Sequence, residues 1–130
     1  MRRLVTPPDL ARFEAGETPS DAFSHADHVL MAHAMLARRT FPDSAVRYSR
    51  AIQRMASRAG APDAYHETMT IAFLAIIAER VAENPKRDAE RFAAENPDLF
   101  QRGILARHYS EARLESGMAR STFLLPDRSA

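Results

Sequence analysis

The 130-residue chain has no cysteine, and only four of its residues are glycine. The absence of cysteine excludes disulfide frameworks, thiol nucleophiles, iron–sulfur clusters and cysteine-based zinc sites. The four glycines are not clustered, so a phosphate-binding loop of the P-loop or Rossmann type is excluded, and neither a nucleophile elbow nor an HExxH helix is present. His, Asp and Glu therefore remain as the only plausible metal ligands.

The chain also lacks a strong excess of one charge and a long apolar run. Its 18 Lys and Arg residues oppose 17 Asp and Glu residues, giving a formal net charge of +1, which provides no general attraction to nucleic acid or to an anionic membrane. No run of about 18 apolar residues occurs, and residues 1–8 are too short and too proline-rich for a signal peptide. We therefore expect a soluble, cytoplasmic protein without nucleic-acid or membrane partners.

The residues that are present favour a single helical domain. β-Branched residues are few, apolar positions recur at spacings of three and four, and Pro or Gly occurs where helices would begin or end. We predict an all-α single domain over residues 1–130, a compact bundle of about five to seven helices. The predicted helices cover about 6–15, 24–39, 42–60, 62–84, 88–95, 96–109 with a break at Gly103, and 110–120, and an extended tail follows.

The fourth predicted helix, about 62–84, is expected to lie at the centre of the bundle. Its middle, residues 71–78, is apolar on all sides, which a soluble protein permits only where other helices surround the segment. The third predicted helix instead divides into an apolar stripe and a basic stripe. It is therefore expected to be half exposed.

A polar stretch directly precedes this apolar segment, and its sequence is Tyr65-His66-Glu67-Thr68-Met69-Thr70. At about 100° per residue, His66 and Thr70 point in the same direction as the core residue Phe73. A buried polar group without a partner costs about 1–3 kcal/mol. These groups must therefore find partners on another helix, in a ligand or on a metal.

The second predicted helix offers such partners, because His25 and His28 lie one turn apart on its only apolar face. Two histidines spaced in this way can chelate one ion, and His66 from a facing helix would complete a nitrogen site. The sequence therefore predicts a divalent metal, either zinc, iron, manganese or copper, bound by His25, His28 and His66. A metal-free site that uses His66 or His25 as an acid or base fits the pattern equally.

Four further residues are predicted to take part in catalysis. Glu67 would act as a general base or as a fourth ligand, while Tyr65, Thr70 or Arg120 would orient the substrate. The predicted function is thus a small enzyme with a partly buried His/Glu site between two inner helices, acting on a small polar molecule. Lyase, hydrolase and oxygenase chemistry all remain open, and so does a homo-oligomeric state.

Other candidate residues are less favoured. His33 lies about 80° from the His25 line, and His108 lies next to a helix break, so both are expected at a boundary or on the surface. Tyr109, Arg113 and Arg120 could together bind an anionic substrate. The favoured interpretation is that Tyr109 packs on the bundle while Arg113 pairs with a nearby glutamate or a helix end.

Like charge is concentrated in one stretch, and its arginines are Arg38, Arg39, Arg47, Arg50, Arg54 and Arg58. This Arg38–Arg58 stripe could bind nucleic acid or phosphate, but a solvated helix face in an arginine-rich sequence is favoured. A competing hypothesis is a non-catalytic helical interaction or small-molecule-binding module. In that case the histidines are structural, and the stripe meets an acidic partner.

Five short motifs of the chain form a recognisable set. The motifs are Phe23-Ser24-His25-Ala26-Asp27-His28-Val29, Tyr65-His66-Glu67-Thr68-Met69-Thr70, Tyr109-Ser110, Ala119-Arg120 and Pro126-Asp127. Together they resemble a family of small bacterial helical proteins that has an F-x-H-x-x-H-V start, a Y-H-E-T-x-T centre and no assigned activity. The resemblance implies a small helical unit and points to His25, His28, His66 and Glu67 as positions to test.

Overall fold

The computed structural model describes residues 5–128, and this part of the chain contains seven α-helices and no strand. The predicted all-α fold is confirmed. The helices are α1 Pro7–Glu14, α2 His25–Leu36, α3 Phe41–Arg58, α4 Glu67–Glu83, α5 Ala89–Glu95, α6 Glu111–Glu115 and α7 Gly117–Ser121. None of the described helices is long and apolar enough to cross a membrane. The signal-peptide expectation falls partly on residues 1–4, which lie outside the described residues.

Local signals place the starts of the first two helices where the sequence predicts them. The Thr6 and Ser24 hydroxyls each accept a hydrogen bond from the amide three residues later, and the Asp9 and Asp27 carboxylates each accept one from the cap amide. Each such capping box satisfies two of the amides that a helix start leaves unpaired. Gly16 follows α1 with a φ of 74°, a left-handed conformation that suits glycine.

The second half of the chain is more broken than predicted. The predicted helix at 96–109 consists of two short 3₁₀ turns, Pro97–Phe100 and Ile104–Arg107, on either side of Gly103. The last predicted helix is divided at Ser116, whose extended backbone ends α6 and whose hydroxyl caps α7. The central helix begins at Glu67 because Pro62–Ala64 form a separate 3₁₀ turn and the following two residues are extended.

The predicted central position of the apolar helix is confirmed. Helix α4 packs against α2, α3 and α7, and Leu74 and Ile77 on it are fully buried. Phe13 of α1, Tyr48 of α3 and Phe92 of α5 complete the same core. The N-terminal end of α4 thus lies among the other helices, and its polar groups must be paired there.

The prediction for His33 is wrong, because this residue is buried and only 7% exposed. Its ring lies against the ring of Phe92, with centroids 4.6 Å apart, where α5 packs on α2. Burial lowers the pKa of His33 below its usual value. A helical wheel for α2 alone could not show that a second helix covers this side.

Part of the Arg38–Arg58 stripe binds the C-terminal end of α1. Arg54 and Arg58 donate hydrogen bonds to the carbonyls of Glu14 and Gly16, at 3.2 and 2.7 Å. Arg39 pairs with the Glu14 carboxylate at 3.1 Å. Since a helix C-terminus carries partial negative charge, these contacts stabilise the packing of α1 on α3.

The predicted extended tail follows α7 and is fixed to the bundle through its backbone. The buried Thr68 hydroxyl donates to the Thr122 carbonyl at 2.7 Å and accepts from the Leu124 amide at 3.0 Å. The Tyr109 hydroxyl donates to the Leu124 carbonyl at 2.8 Å. These bonds hold the tail close to the start of α4.

We predict that Thr68→Val destabilises the protein by about 1–3 kcal/mol, because it removes the partner of two tail groups. Urea unfolding measures the loss, and hydrogen exchange of the Leu124 amide should become faster. Thr122→Val is the matched control, since the Thr122 side chain is exposed. Equal stability of the two variants would contradict this role of Thr68.

Candidate functional site

A cavity of about 890 Å³ lies where the N-terminal ends of α2 and α4 meet the 3₁₀ turn Ile104–Arg107 and α6. This volume is in the range of pockets that hold small organic ligands. Its lining includes five of the seven predicted site residues, which are His25, His28, His66, Thr70 and Arg120. The cavity therefore brings most of the predicted site residues together.

His66 is the N-cap of the central helix. Its Nδ1 accepts a hydrogen bond from the Met69 amide at 3.1 Å, so this nitrogen carries no proton. Its Nε2 lies 2.7 Å from the Leu114 carbonyl, which can only accept, so this nitrogen donates. Both nitrogens of a neutral His66 ring are thus engaged within the protein, and no lone pair remains for a metal.

His25 has one free ring nitrogen. Its Nε2 donates to the Leu99 carbonyl at 3.0 Å, which leaves a lone pair on Nδ1. No hydrogen-bond partner for Nδ1 is found among residues 5–128. The ring lies beside Phe73, with centroids 5.3 Å apart. His25 therefore presents an unprotonated nitrogen on a ring that lines the cavity.

His28 differs from His25 in that its unprotonated nitrogen is occupied by Tyr48, which leaves a donor nitrogen free. The two side chains are joined by a 3.0 Å hydrogen bond between Nδ1 and the hydroxyl. Tyr48 is 1% exposed, burial raises the pKa of its hydroxyl, and this hydroxyl has no other partner in the described part of the chain. The Tyr48 hydroxyl is therefore the donor of this hydrogen bond, and Nδ1 of His28 is the acceptor. His28 must then carry its proton on Nε2, which makes that nitrogen a donor.

The charge of His28 is fixed by its surroundings as well. Burial, with a smaller effect of the neighbouring His25, lowers the pKa of His28 from 6.5 to about 4. The ring also meets Phe23 edge to face at 4.6 Å. His28 is thus neutral at physiological pH and has one proton to donate to a hydrogen bond.

Tyr65 and Glu67 do not line the cavity. The Tyr65 hydroxyl donates to the Glu67 carboxylate, and burial together with this contact raises the pKa of Tyr65 to about 12. The predicted direction of the Tyr65 side chain assumed a helix that begins at residue 62, whereas Tyr65 lies in extended backbone before α4. The roles of Glu67 as a base or ligand and of Tyr65 as an orienting group remain predictions.

The other predicted polar groups contact the protein itself. The Thr70 hydroxyl donates to the His66 carbonyl at 2.7 Å and can still accept from a ligand. Arg120 donates to the Asp63 carbonyl at 2.7 Å and so joins α7 to the turn before α4. Arg113 donates to the Leu125 carbonyl of the tail at 2.7 Å, rather than to the nearby glutamate or helix end that the sequence favoured.

The side chains of His25, His28 and His66 are not arranged as a three-histidine metal site. Within residues 5–128, no group of three or more His, Asp or Glu side chains is placed to hold a metal ion. His66 would have to give up two hydrogen bonds to become a ligand, which leaves only His25 and His28 on α2. Metal binding by His25, His28 and His66 remains a prediction that these hydrogen bonds disfavour.

Several residues of the site carry no signal in the sequence. The carbonyls of Leu99 and Leu114 and the hydroxyl of Tyr48 set the ring orientations, yet they lie 74, 48 and 20 positions from their histidines. Arg102 and Arg128 also line the cavity. Neither arginine differs by pattern from the other arginines of the chain.

We predict that the protein purified without chelators contains far less than one metal ion per chain, as measured by elemental analysis. His66→Ala should destabilise the protein by about 1–2 kcal/mol with or without added Zn²⁺, because it removes an N-cap. Stoichiometric metal that is lost in both His25→Ala and His66→Ala would contradict this and establish the metal site.

We also predict a loss of stability on acidification that depends on His28. Its pKa is lower in the folded than in the unfolded chain, so its contribution is complete above about pH 6.5 and is lost toward about pH 4. The shift corresponds to roughly 3 kcal/mol. Urea unfolding at several pH values should therefore show a shallower dependence for His28→Gln than for the wild type.

The range above about pH 7 is the internal control for that experiment, because His28 is neutral there in both the folded and the unfolded chain. His33, whose pKa is also lowered, remains in His28→Gln and leaves a residual slope. Identical slopes for the wild type and His28→Gln would contradict the buried, neutral state of His28.

Comparison of the chain with protein-family models, with curated proteins and with solved structures gave no match. The resemblance of its two histidine motifs to the F-x-H-x-x-H-V family therefore stays a prediction.

Proposed function

We propose that this protein is an enzyme that moves a proton on a small polar organic molecule bound in the cavity. His25 is the general base, and His28 donates a hydrogen bond to an oxygen of the substrate. The observation that carries the proposal is the opposite hydrogen bonding of these two rings, one turn apart on α2. One ring offers a lone pair and the other offers a proton.

The proposed step begins when Nδ1 of His25 takes a proton from the carbon atom next to a carbonyl group. The electron pair left behind moves onto the carbonyl oxygen, which accepts the hydrogen bond from Nε2 of His28. The positive charge gained by His25 is stabilised by the Leu99 carbonyl, which keeps its hydrogen bond to Nε2. His25 then returns a proton, which can first exchange with solvent, to the same carbon or to a conjugated atom of the same molecule, and the negative charge on the oxygen is lost.

Two features of the surroundings support these roles. The Leu99 carbonyl sets the His25 tautomer, in the way that an acceptor on one ring nitrogen leaves the other as a base. The Tyr48 hydroxyl and the lowered pKa of His28 keep that ring neutral, so it stays a donor with a single proton. A positioned base typically contributes about 10²–10⁴ in rate, and one oxyanion donor about 10²–10³.

The test needs no knowledge of the complete reaction. The protein is incubated in D₂O with a set of small carbonyl and carboxylic compounds, and NMR measures which of them gains deuterium. We expect exchange at one carbon position of one class of compound, reduced at least about 100-fold in His25→Ala. His108→Gln is the control, because His108 does not line the cavity.

Exchange that survives in His25→Ala would contradict the proposal. Saturable binding of a compound without exchange, in both the wild type and the variant, would instead favour the competing hypothesis of a non-catalytic small-molecule-binding module. The hydrogen bonds of all three histidines within the protein favour that second candidate.

A further inference from the structure

The cavity carries a charge pattern that the proposed role of the histidines does not use. Its charged lining residues are Arg102, Arg120, Arg128, Glu111 and Glu115. The formal charges of these three arginines and two glutamates sum to +1. A cavity of this charge suits a ligand with one negative charge better than a doubly charged one.

Two of the arginines are available to a ligand. The guanidinium groups of Arg102 and Arg128 have no hydrogen bond or ion pair with any residue that the structure describes. Arg120 differs, because one of its nitrogens binds the Asp63 carbonyl. An arginine without a partner at the edge of a cavity can bind a carboxylate through two parallel hydrogen bonds.

The position of Arg128 is fixed although it lies near the end of the chain. Its backbone amide donates to the His108 carbonyl at 3.0 Å. The preceding Asp127 carboxylate accepts from the amide and the hydroxyl of Ser110, at 2.7 and 2.6 Å. These bonds fix the backbone of the tail beside Ser110 and His108, and Arg128 lines the cavity from there.

The rest of the wall is largely apolar. Its apolar side chains come from five different parts of the fold and include Phe23, Ile52, Phe73, Ile104 and Leu114. Burial of apolar ligand surface against such walls favours binding. The cavity therefore combines an apolar interior with a basic edge.

We infer that the ligand of this cavity is a small organic monocarboxylate with an apolar body, whose carboxylate is bound by Arg102 and Arg128. This inference rests on the proposed function only because both place the ligand in the same cavity. Phe73, whose ring contacts His25, belongs to the apolar wall of the same cavity.

Isothermal titration calorimetry with matched probes tests this inference. The probes are 4-phenylbutyrate, its neutral amide and the dianion phenyl phosphate. We expect 4-phenylbutyrate to bind at least about tenfold more tightly than the amide, and the double variant Arg102→Gln with Arg128→Gln to remove this preference. The affinity of the acid should fall with added salt, because the arginines are exposed.

Arg50→Gln is the matched control, since Arg50 is an exposed arginine of α3 outside the cavity. Equal affinity for the acid and the amide, tighter binding of phenyl phosphate, or no binding of any probe would each overturn the inference. An unchanged preference in the double variant would overturn it as well. Binding of 4-phenylbutyrate as expected, with deuterium exchange absent for every compound, would refute the proposed function and leave this inference standing.

Discussion

The hydrogen bonds of the His66 imidazole join two of the elements that line the cavity, α4 and α6. One ring nitrogen accepts from the first turn of the central helix, and the other donates to the Leu114 carbonyl of α6. Because His66 is buried, loss of the ring would leave both backbone groups without a partner in the protein. The start of α4 and the position of α6 therefore depend on one side chain.

The same requirement, that buried polar groups be paired, decides what the other two histidines can do. A carbonyl can only accept, so Leu99 fixes the proton of His25 on Nε2. A buried phenol must donate its hydrogen bond to an acceptor, and the acceptor of Tyr48 is Nδ1 of His28. The proton of His28 therefore lies on Nε2 as well. Three rings with the same tautomer thus have three different roles, because their partners differ.

The sequence predicted the elements that depend on local signals. The capping box at Ser24 and the break at Gly103 involve residues within a few positions of each other, and both are found in the structure. The prediction from sequence was less accurate before α4. A helix over about 62–84 was expected, so His66 was treated as a residue inside the helix, whereas it is the N-cap. A local pattern can show that a polar group is buried, but not which of several partners satisfies it.

Long-range contacts explain why the site was predicted only in part. His25 and His28 were identified from their shared apolar face, and both line the cavity. Their partners come from distant segments, and Arg128 reaches the cavity only because the tail folds back onto the bundle. Such contacts follow from the packing of the whole chain, which spacing along one helix does not describe.

The histidine tautomers are the most direct test of this account. Long-range ¹H–¹⁵N NMR correlation of the imidazole rings at about pH 7.5 distinguishes a proton on Nε2 from one on Nδ1. We expect His25, His28 and His66 each to carry a single proton, on Nε2. A proton on Nδ1 of His25 would contradict its assignment as the base, and a proton on Nδ1 of His28 would contradict its assignment as the donor.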